Sequence, residues 1–274
     1  MIYELNKDRF ARVFPIIHNG WPMLDIKSVL AGNSPGWVFA DSMDDPKTAM
    51  IWTKGEAGFY FVGDAENAGF LAHVRKYIHE VLKDRMTAGG LDEFEFSADR
   101  EEWNGVFEEI FAAEDLKKSE QRVNILNKDK WERHEKSDPE KRFTLRNIDR
   151  ELFSDASITN PDFLASVIKH WWFSLEEYFD KAIGYCFTCD NKIVCYCYNG
   201  YFYENNRTIG IKTLAEYRRM GLAQAAAEAF ISESLSRGEI PYWECDGTNA
   251  ASRALAEKLG FDLAHVYPIY WFSL

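Results

Sequence analysis

Ile209-Gly210-Ile211-Lys212-Thr213-Leu214-Ala215-Glu216-Tyr217-Arg218-Arg219-Met220-Gly221-Leu222-Ala223 reads as a strand, a tight basic turn and the entry to a helix. Alanines at 225, 226, 227 and 229 carry the helix onward. The first backbone N–H groups of a helix have no partner within it and carry partial positive charge, so a turn built this way can cradle a pyrophosphate. Gly221 lets the backbone approach the phosphates closely, and Arg218 or Arg219 can add charge. The same residues also describe an ordinary helix entry with two solvated arginines, and local physics leaves both readings open.

Outward from this stretch, residues 183–188 and 193–203 are strongly β-forming and flank Cys189-Asp190-Asn191-Lys192 as an antiparallel hairpin. A strand at 208–213, a helix at 221–237, a strand at 242–245, a helix at 249–259 and a closing strand at 266–272 follow. The βα unit between Thr208 and Cys245 implies two parallel neighbours inside a mostly antiparallel sheet, hence a mixed α/β fold. Upstream lie a strand candidate at 142–148 and helical segments to about Tyr178, started by Asn160-Pro161.

The first half opens with a helix to about Phe14 and another at 26–31, ended by Gly32-Asn33-Ser34-Pro35-Gly36. Strands at 37–40, 48–52 and 59–62 come next. A helix spans 67–86 with Phe70, Val74, Tyr77, Ile78, Val81 and Leu82 on one face. A strand at 94–96 and a helix at 101–111 complete it. The charged stretch 127–139 is the linker candidate, giving domains at 1–139 and 140–274.

Arg218-Arg219-Met220-Gly221-Leu222-Ala223 resembles the pyrophosphate loop of the GCN5-related N-acetyltransferases (GNAT), (Gln/Arg)-x-x-Gly-x-(Gly/Ala). Glu216-Tyr217 precede it in the family's manner, and Asn249 with Leu259-Gly260-Phe261 resembles the family's downstream Asn…Gly-Phe signature. The whole chain is similar to a bacterial subgroup with an extra N-terminal half, through 29–41, Gly184-Tyr185-Cys186-Phe187 and Pro241-Tyr242-Trp243-Glu244-Cys245. The resemblance implies two tandem GNAT-like domains, each a mostly antiparallel sheet flanked by helices. The first would be degenerate, because acidic Gly63-Asp64-Ala65-Glu66 stands where a phosphate loop belongs.

The resemblance further implies an acetyl-CoA-dependent N-acetyltransferase acting on a primary amine of a small molecule or an exposed amino group. Ile211, Lys212 and Thr213 would pair with the pantetheine arm like an added strand. Arg218, Arg219, Met220, Gly221, Leu222, Ala223 and Gln224 would form the pyrophosphate cradle, with Asn249 and Ser252 along the arm. Glu244 is the candidate base, five residues before Asn249. The family's usual acid is a tyrosine seven residues after the asparagine, and here that position is Ala256. Cys245, Ser252, Tyr267 and Tyr270 stand open as replacements, Tyr270 being carried forward as the acid. The departure keeps a second reading alive: an acyl-CoA-binding sensor or scaffold without turnover.

With 32 Lys and Arg against 44 Asp and Glu, the formal charge of −12 is the wrong sign for a nucleic-acid partner. No apolar run approaches the roughly 20 residues needed to cross a bilayer, and the charged N-terminus has no apolar signal core. A cytoplasmic protein without a membrane partner is expected, and an oligomer is compatible with the sequence. Five cysteines suit reduced thiols. A hairpin turn at Asp190-Asn191 would set Cys186 opposite Cys195 with Cys197 on the same face. The Cys-x-Cys spacing splays ligands poorly and no histidine is near, so buried thiols and no metal are expected.

Overall fold

The structure, a computed structural model, describes residues 1–18 and 23–274. The chain divides into two units, Met1–Gln121 with Tyr267–Leu274, and Arg122–Val266.

In the first unit β1 (Tyr3–Glu4), β2 (Gly36–Ala40), β3 (Thr48–Thr53), β4 (Gly58–Gly63) and β5 (Glu93–Ala98) lie side by side in that order. The steps from β1 to β4 are antiparallel and β4 to β5 is parallel. Tyr270–Ser273 then closes antiparallel on β5. β3 and β4 are buried along their whole length, which is why their sequences read as continuous apolar runs. Helices α1 (Leu24–Leu30), α2 (Ala68–Tyr77), α3 (Lys83–Ala88) and α4 (Trp103–Ile110) accompany the sheet. The segment expected as a helix up to Phe14 is a 3₁₀ helix at Lys7–Ile16.

The helix expected without interruption over 67–86 is broken by a π-helical turn, Ile78–Leu82, between α2 and α3. Phe70, Val74, Ile78, Leu82 and Met86 are all fully buried at a spacing of four, and the wider turn offsets the roughly 160° by which a regular helix would rotate that row over four such steps. It also turns Val81 out to 50% exposure, against the expectation that it faces the core.

The second unit takes up β6 (Lys117–Leu126) from Arg122 onward, then α5 (Lys128–Arg133), β7 (Thr144–Asn147), α6 (Arg150–Ser154), α7 (Pro161–Trp171) and α8 (Leu175–Lys181). β8 (Gly184–Cys189), β9 (Lys192–Tyr203), β10 (Asn206–Thr213), α9 (Leu222–Ser236), β11 (Ile240–Asp246), α10 (Ala250–Lys258) and the start of β12 (Phe261–Ser273) complete it. The strand order is β6-β11-β10-β9-β8-β7. β7 to β10 pair antiparallel, and β10 pairs parallel with β11 as the βα unit required. Both units therefore repeat one plan, antiparallel steps ending in a parallel pair joined through helix.

Two cores sandwich this second sheet. On one face Cys195, Cys197, Ile209 and Trp243 pack with Ala226, Phe230 and Ile231 of α9. On the other, Ile193, Tyr196 and Tyr198 pack with Leu164 and Ile168 of α7 and with Tyr178 of α8.

The hairpin turn falls at Asp190-Asn191, both at positive φ as a type I′ turn demands. The expected Cys186–Cys195 pairing is corrected, because the register shifts between Phe187 and Thr188 and sets Cys186 opposite Tyr196. The shift sends Cys186 to the α7 face and leaves Cys195 and Cys197 on the α9 face. All five cysteines are buried and free. The described residues hold no group of three His, Cys, Asp or Glu side chains able to hold a metal. No described helix is long and apolar enough to cross a membrane.

Candidate functional site

β10 and β11 stay paired only over Asn206↔Ile240, Arg207↔Pro241 and Thr208↔Tyr242. Beyond Thr208, β10 continues against β9 alone as far as Thr213, so its other edge is open. Arg207 locks the closed end of this fork through a partly buried ion pair with Glu239 and a 2.7 Å bond to Asn199 Oδ1. A cavity of about 580 Å³ occupies the open side. It brings together Ile211, Lys212 and Thr213 of β10, Arg218, Arg219, Gly221, Leu222, Ala223 and Gln224 of the turn and α9, and Asn249 and Ser252 at α10. Met220 is the one expected member outside the lining; its sulfur faces Arg142 and its side chain packs on the α9 core. Tyr217, Ala251 and Leu255 complete the wall.

The turn is shaped for an anion. Arg219 has φ +63° and Gly221 has φ +77° and ψ −5°, so the chain coils tightly before α9. Gly221 is the N-cap of α9, and no side chain among the described residues caps that helix. By contrast Asn249 Oδ1 caps α10 by accepting the Ser252 N–H at 3.1 Å, and Asn67 Oδ1 caps α2. The leading N–H groups of α9 thus face a cavity with exposed Arg218 and Arg219 at its rim.

A strap within the linker candidate, residues 127–139, holds this turn. Ser137 donates through Oγ to Gly221 O at 2.9 Å. Glu228 of α9 accepts the Ser137 N–H at 3.0 Å, pairs with buried His134 Nε2 at 3.1 Å, and accepts from Gln224 Nε2 at 2.8 Å. Gln224 Nε2 also donates to Glu135 O at 2.6 Å. The amide side chain of Gln224 is therefore engaged by the strap, and its backbone N–H is what it offers the cavity.

On β11 successive side chains alternate. Trp243 and Cys245 enter the α9 core, so Glu244, half-buried, points to the other face. Asp246 ends β11, its carboxylate accepting the Thr248 N–H of the following turn at 2.7 Å. Trp243 Nε1–H donates to Ser252 Oγ at 3.0 Å. Burial pushes the Cys245 thiol above its ordinary value, while a hydrogen bond from Ser252 pulls the other way. Ala256 is 2% exposed and closes the core. Tyr270 is not among the groups at the cavity: it lies in the aromatic core of the first unit, stacked on Phe96 at 5.6 Å with its hydroxyl 3.3 Å from Asn104 Oδ1.

The equivalent turn of the first unit is closed from within. Asp64 Oδ1 accepts the Glu66 N–H at 2.9 Å, and Asn67 caps α2. Fully buried Asp99 accepts the His18 N–H at 2.6 Å and pairs with Arg100, which also donates to Ile16 O. A cavity of about 800 Å³ lies there, lined among others by Lys47, Gly63, Asp64 and Arg100, and its charges already have partners in Asp45 and Asp99.

A family model described as GNAT acetyltransferase matches residues 17–270. An uncharacterized N-acetyltransferase of Bacillus subtilis (strain 168), YdfB, is 28% identical over 99% of this chain and 98% of its own length. Among solved structures, a GCN5-related N-acetyltransferase-like protein from Streptococcus suis 89/1591 superposes with a TM-score of 0.68 at 20% identity, over 97% of this chain and all of that one. A tandem GNAT protein from the clavulanic acid biosynthesis pathway gives 0.61 at 10% identity, over 100% of this chain and 98% of that one. At these identities the two structures speak for the fold.

Proposed function

Because the chain belongs to the GNAT acetyltransferase family of N-acetyltransferases, we propose that it moves an acetyl group from acetyl-CoA to a primary amine, on a small molecule or an exposed amino group, by direct attack. The observation that carries the reading is the uncapped start of α9, opening with its two arginines on the cavity at the β10–β11 fork. The donors fit the group: backbone N–H from Arg219 to Gln224 for a pyrophosphate, and the open edge of Ile211–Thr213 for an amide-bearing arm. Asn249 and Ser252 bound the opposite wall.

In this reading the fork holds the thioester, the neutral amine attacks it, and Glu244, on the opposite face of β11 from Trp243, takes the proton that the amine nitrogen gives up. Glu244→Gln should flatten the acid limb of the pH–rate profile and lower kcat by ten-fold or more. An unchanged profile removes Glu244 as base. The five buried free thiols suit a reducing compartment, and we place the protein in the cytoplasm.

Burial of Ala256 favours a second reading, acyl-CoA binding without turnover. Thiol release from acetyl-CoA over a panel of amines separates the two. Stimulation by an amine supports transfer. Tight binding with no stimulation by any amine supports the sensor, and no binding removes both.

A further inference from the structure

We propose that the Ser252 hydroxyl, oriented by the Trp243 indole, is the hydrogen-bond donor to the departing thiolate, in place of the tyrosine absent at Ala256. The inference rests on the acetyl-CoA reading above and deepens it.

The geometry of α10 gives the first reason. Ser252 and Ala256 are four residues apart and share one face of the helix. Helical side chains lean toward the N-terminus, and each covers the turn before its own Cα. A tyrosine at 256 would deliver its hydroxyl over the turn that carries Ser252. Ala256 has no such reach and is 2% exposed. Ser252 already sits at that turn and lines the cavity.

The second reason is the direction of its proton. The Trp243 indole is 1% exposed, and Nε1–H can only donate, so at 3.0 Å Ser252 Oγ accepts. The hydroxyl proton must then point elsewhere, and a hydroxyl that accepts one bond is a stronger donor of the next. Its neighbour within the protein is the Cys245 sulfur. A neutral thiol is a weak acceptor and competes poorly with a thiolate, since bonds to ionised acceptors are roughly twice as strong. Asn249 holds the serine backbone in place through Oδ1.

The step balances. The amine lone pair forms the C–N bond, the C–S bond breaks with its electron pair going to sulfur, and the ammonium proton leaves to Glu244. Ser252 donates a hydrogen bond to the sulfur and keeps its proton. The thiolate takes a proton from water after release.

The thiol pKa of bound CoA tests this without knowledge of the acceptor. It is read from thiolate absorbance in the full chain saturated with CoA, with desulfo-CoA as blank. The wild type should lower the bound thiol's pKa below that of free CoA. Ser252→Ala should raise it by about one unit, a factor of ten in the thiolate equilibrium. Trp243→Phe keeps the ring but removes the donor, and should raise it part of the way. A bound thiol with the same pKa in wild type and both variants overturns the role, because a serine that only packs would not move it. If the wild type does not bind CoA, the cosubstrate reading fails and this inference falls with it. If CoA binds and only the pKa is unmoved, the serine alone is removed.

Discussion

Gly221 is the residue on which the turn depends. At φ +77° a β-branched side chain is strained, and a Cβ there would stand 2.5 Å from Ser137 Oγ, the atom that braces the turn. Gly221→Val should therefore weaken acetyl-CoA binding by ten-fold or more, about 1.4 kcal/mol, in titration calorimetry. Affinity equal to wild type would remove the turn from the site. Asp25 is a second residue with a measurable signature. Its carboxyl is raised to about 6, first by desolvation, against hydrogen bonds from Tyr60 and the Ile26 N–H, and buried Oδ2 has no hydrogen-bond partner among the described residues. The folded pKa lies above the unfolded value of 3.8, so folding favours the protonated acid. That contribution is whole below pH 3.8 and is lost as pH rises through about 6. Asp25→Asn should thus gain stability over wild type, by about 2 kcal/mol in urea unfolding at pH 7.5, and by far less at pH 4. An equal difference at both pH values would contradict the burial penalty.

At the scale of elements, α9 and its strap form one unit of the site. Glu228 joins His134, the Ser137 N–H and Gln224, so Glu228→Ala takes one partner from each of three groups around the turn proposed to hold the pyrophosphate. The expected loss is about 1–3 kcal/mol of stability, with weaker acetyl-CoA binding alongside. Thermal unfolding with and without acetyl-CoA reads both, and a variant with unchanged melting temperature in each condition would show the strap to be idle. Nothing in the sequence announced this strap. Its residues are charged and polar, and a polar stretch that satisfies a neighbour's carboxylate looks like one that meets only water. β6 escaped for a related reason: of Lys117–Leu126 only Val123 and Asn124 are buried, so no alternation marks it as a strand. The elements of the site itself were legible. β10, the turn, α9, β11 and α10 carry strong periodicity, a glycine forced to positive φ, and an asparagine that caps the next helix. What the pattern could not give was register and direction. A one-residue shift past Thr188 moved Cys186 to the other face, a π-helical turn moved Val81 to solvent, and the Trp243–Ser252 bond joins residues of separate elements.

At the scale of the molecule, the chain leaves the first unit after Gln121 and returns to it at Tyr267. The last eight residues are therefore structural for the first unit, although they follow the whole second unit in sequence. Tyr270 and Phe272 are 1% and 0% exposed within its aromatic core, and Tyr270–Ser273 pairs along the edge of β5. Leu274 N–H adds a bond to Asp92 O, and Ser97 Oγ donates to Pro268 O at 2.7 Å. Losing a buried aromatic side chain costs about 3–5 kcal/mol, and two of them approach the total stability of an ordinary domain. A chain ended at Val266 also strips β5 of its antiparallel partner, leaving an open edge that invites aggregation. The cavity at the β10–β11 fork is built wholly from residues between Ile211 and Leu255, so the truncation removes none of its lining. Hydrogen exchange on such a chain should show protection lost in β3 and β4 while α9 and β10 keep theirs. Protection retained in β3 and β4 would mean that the first unit folds without its C-terminal strand, and would leave Tyr270 and Phe272 as decoration on a core that stands alone.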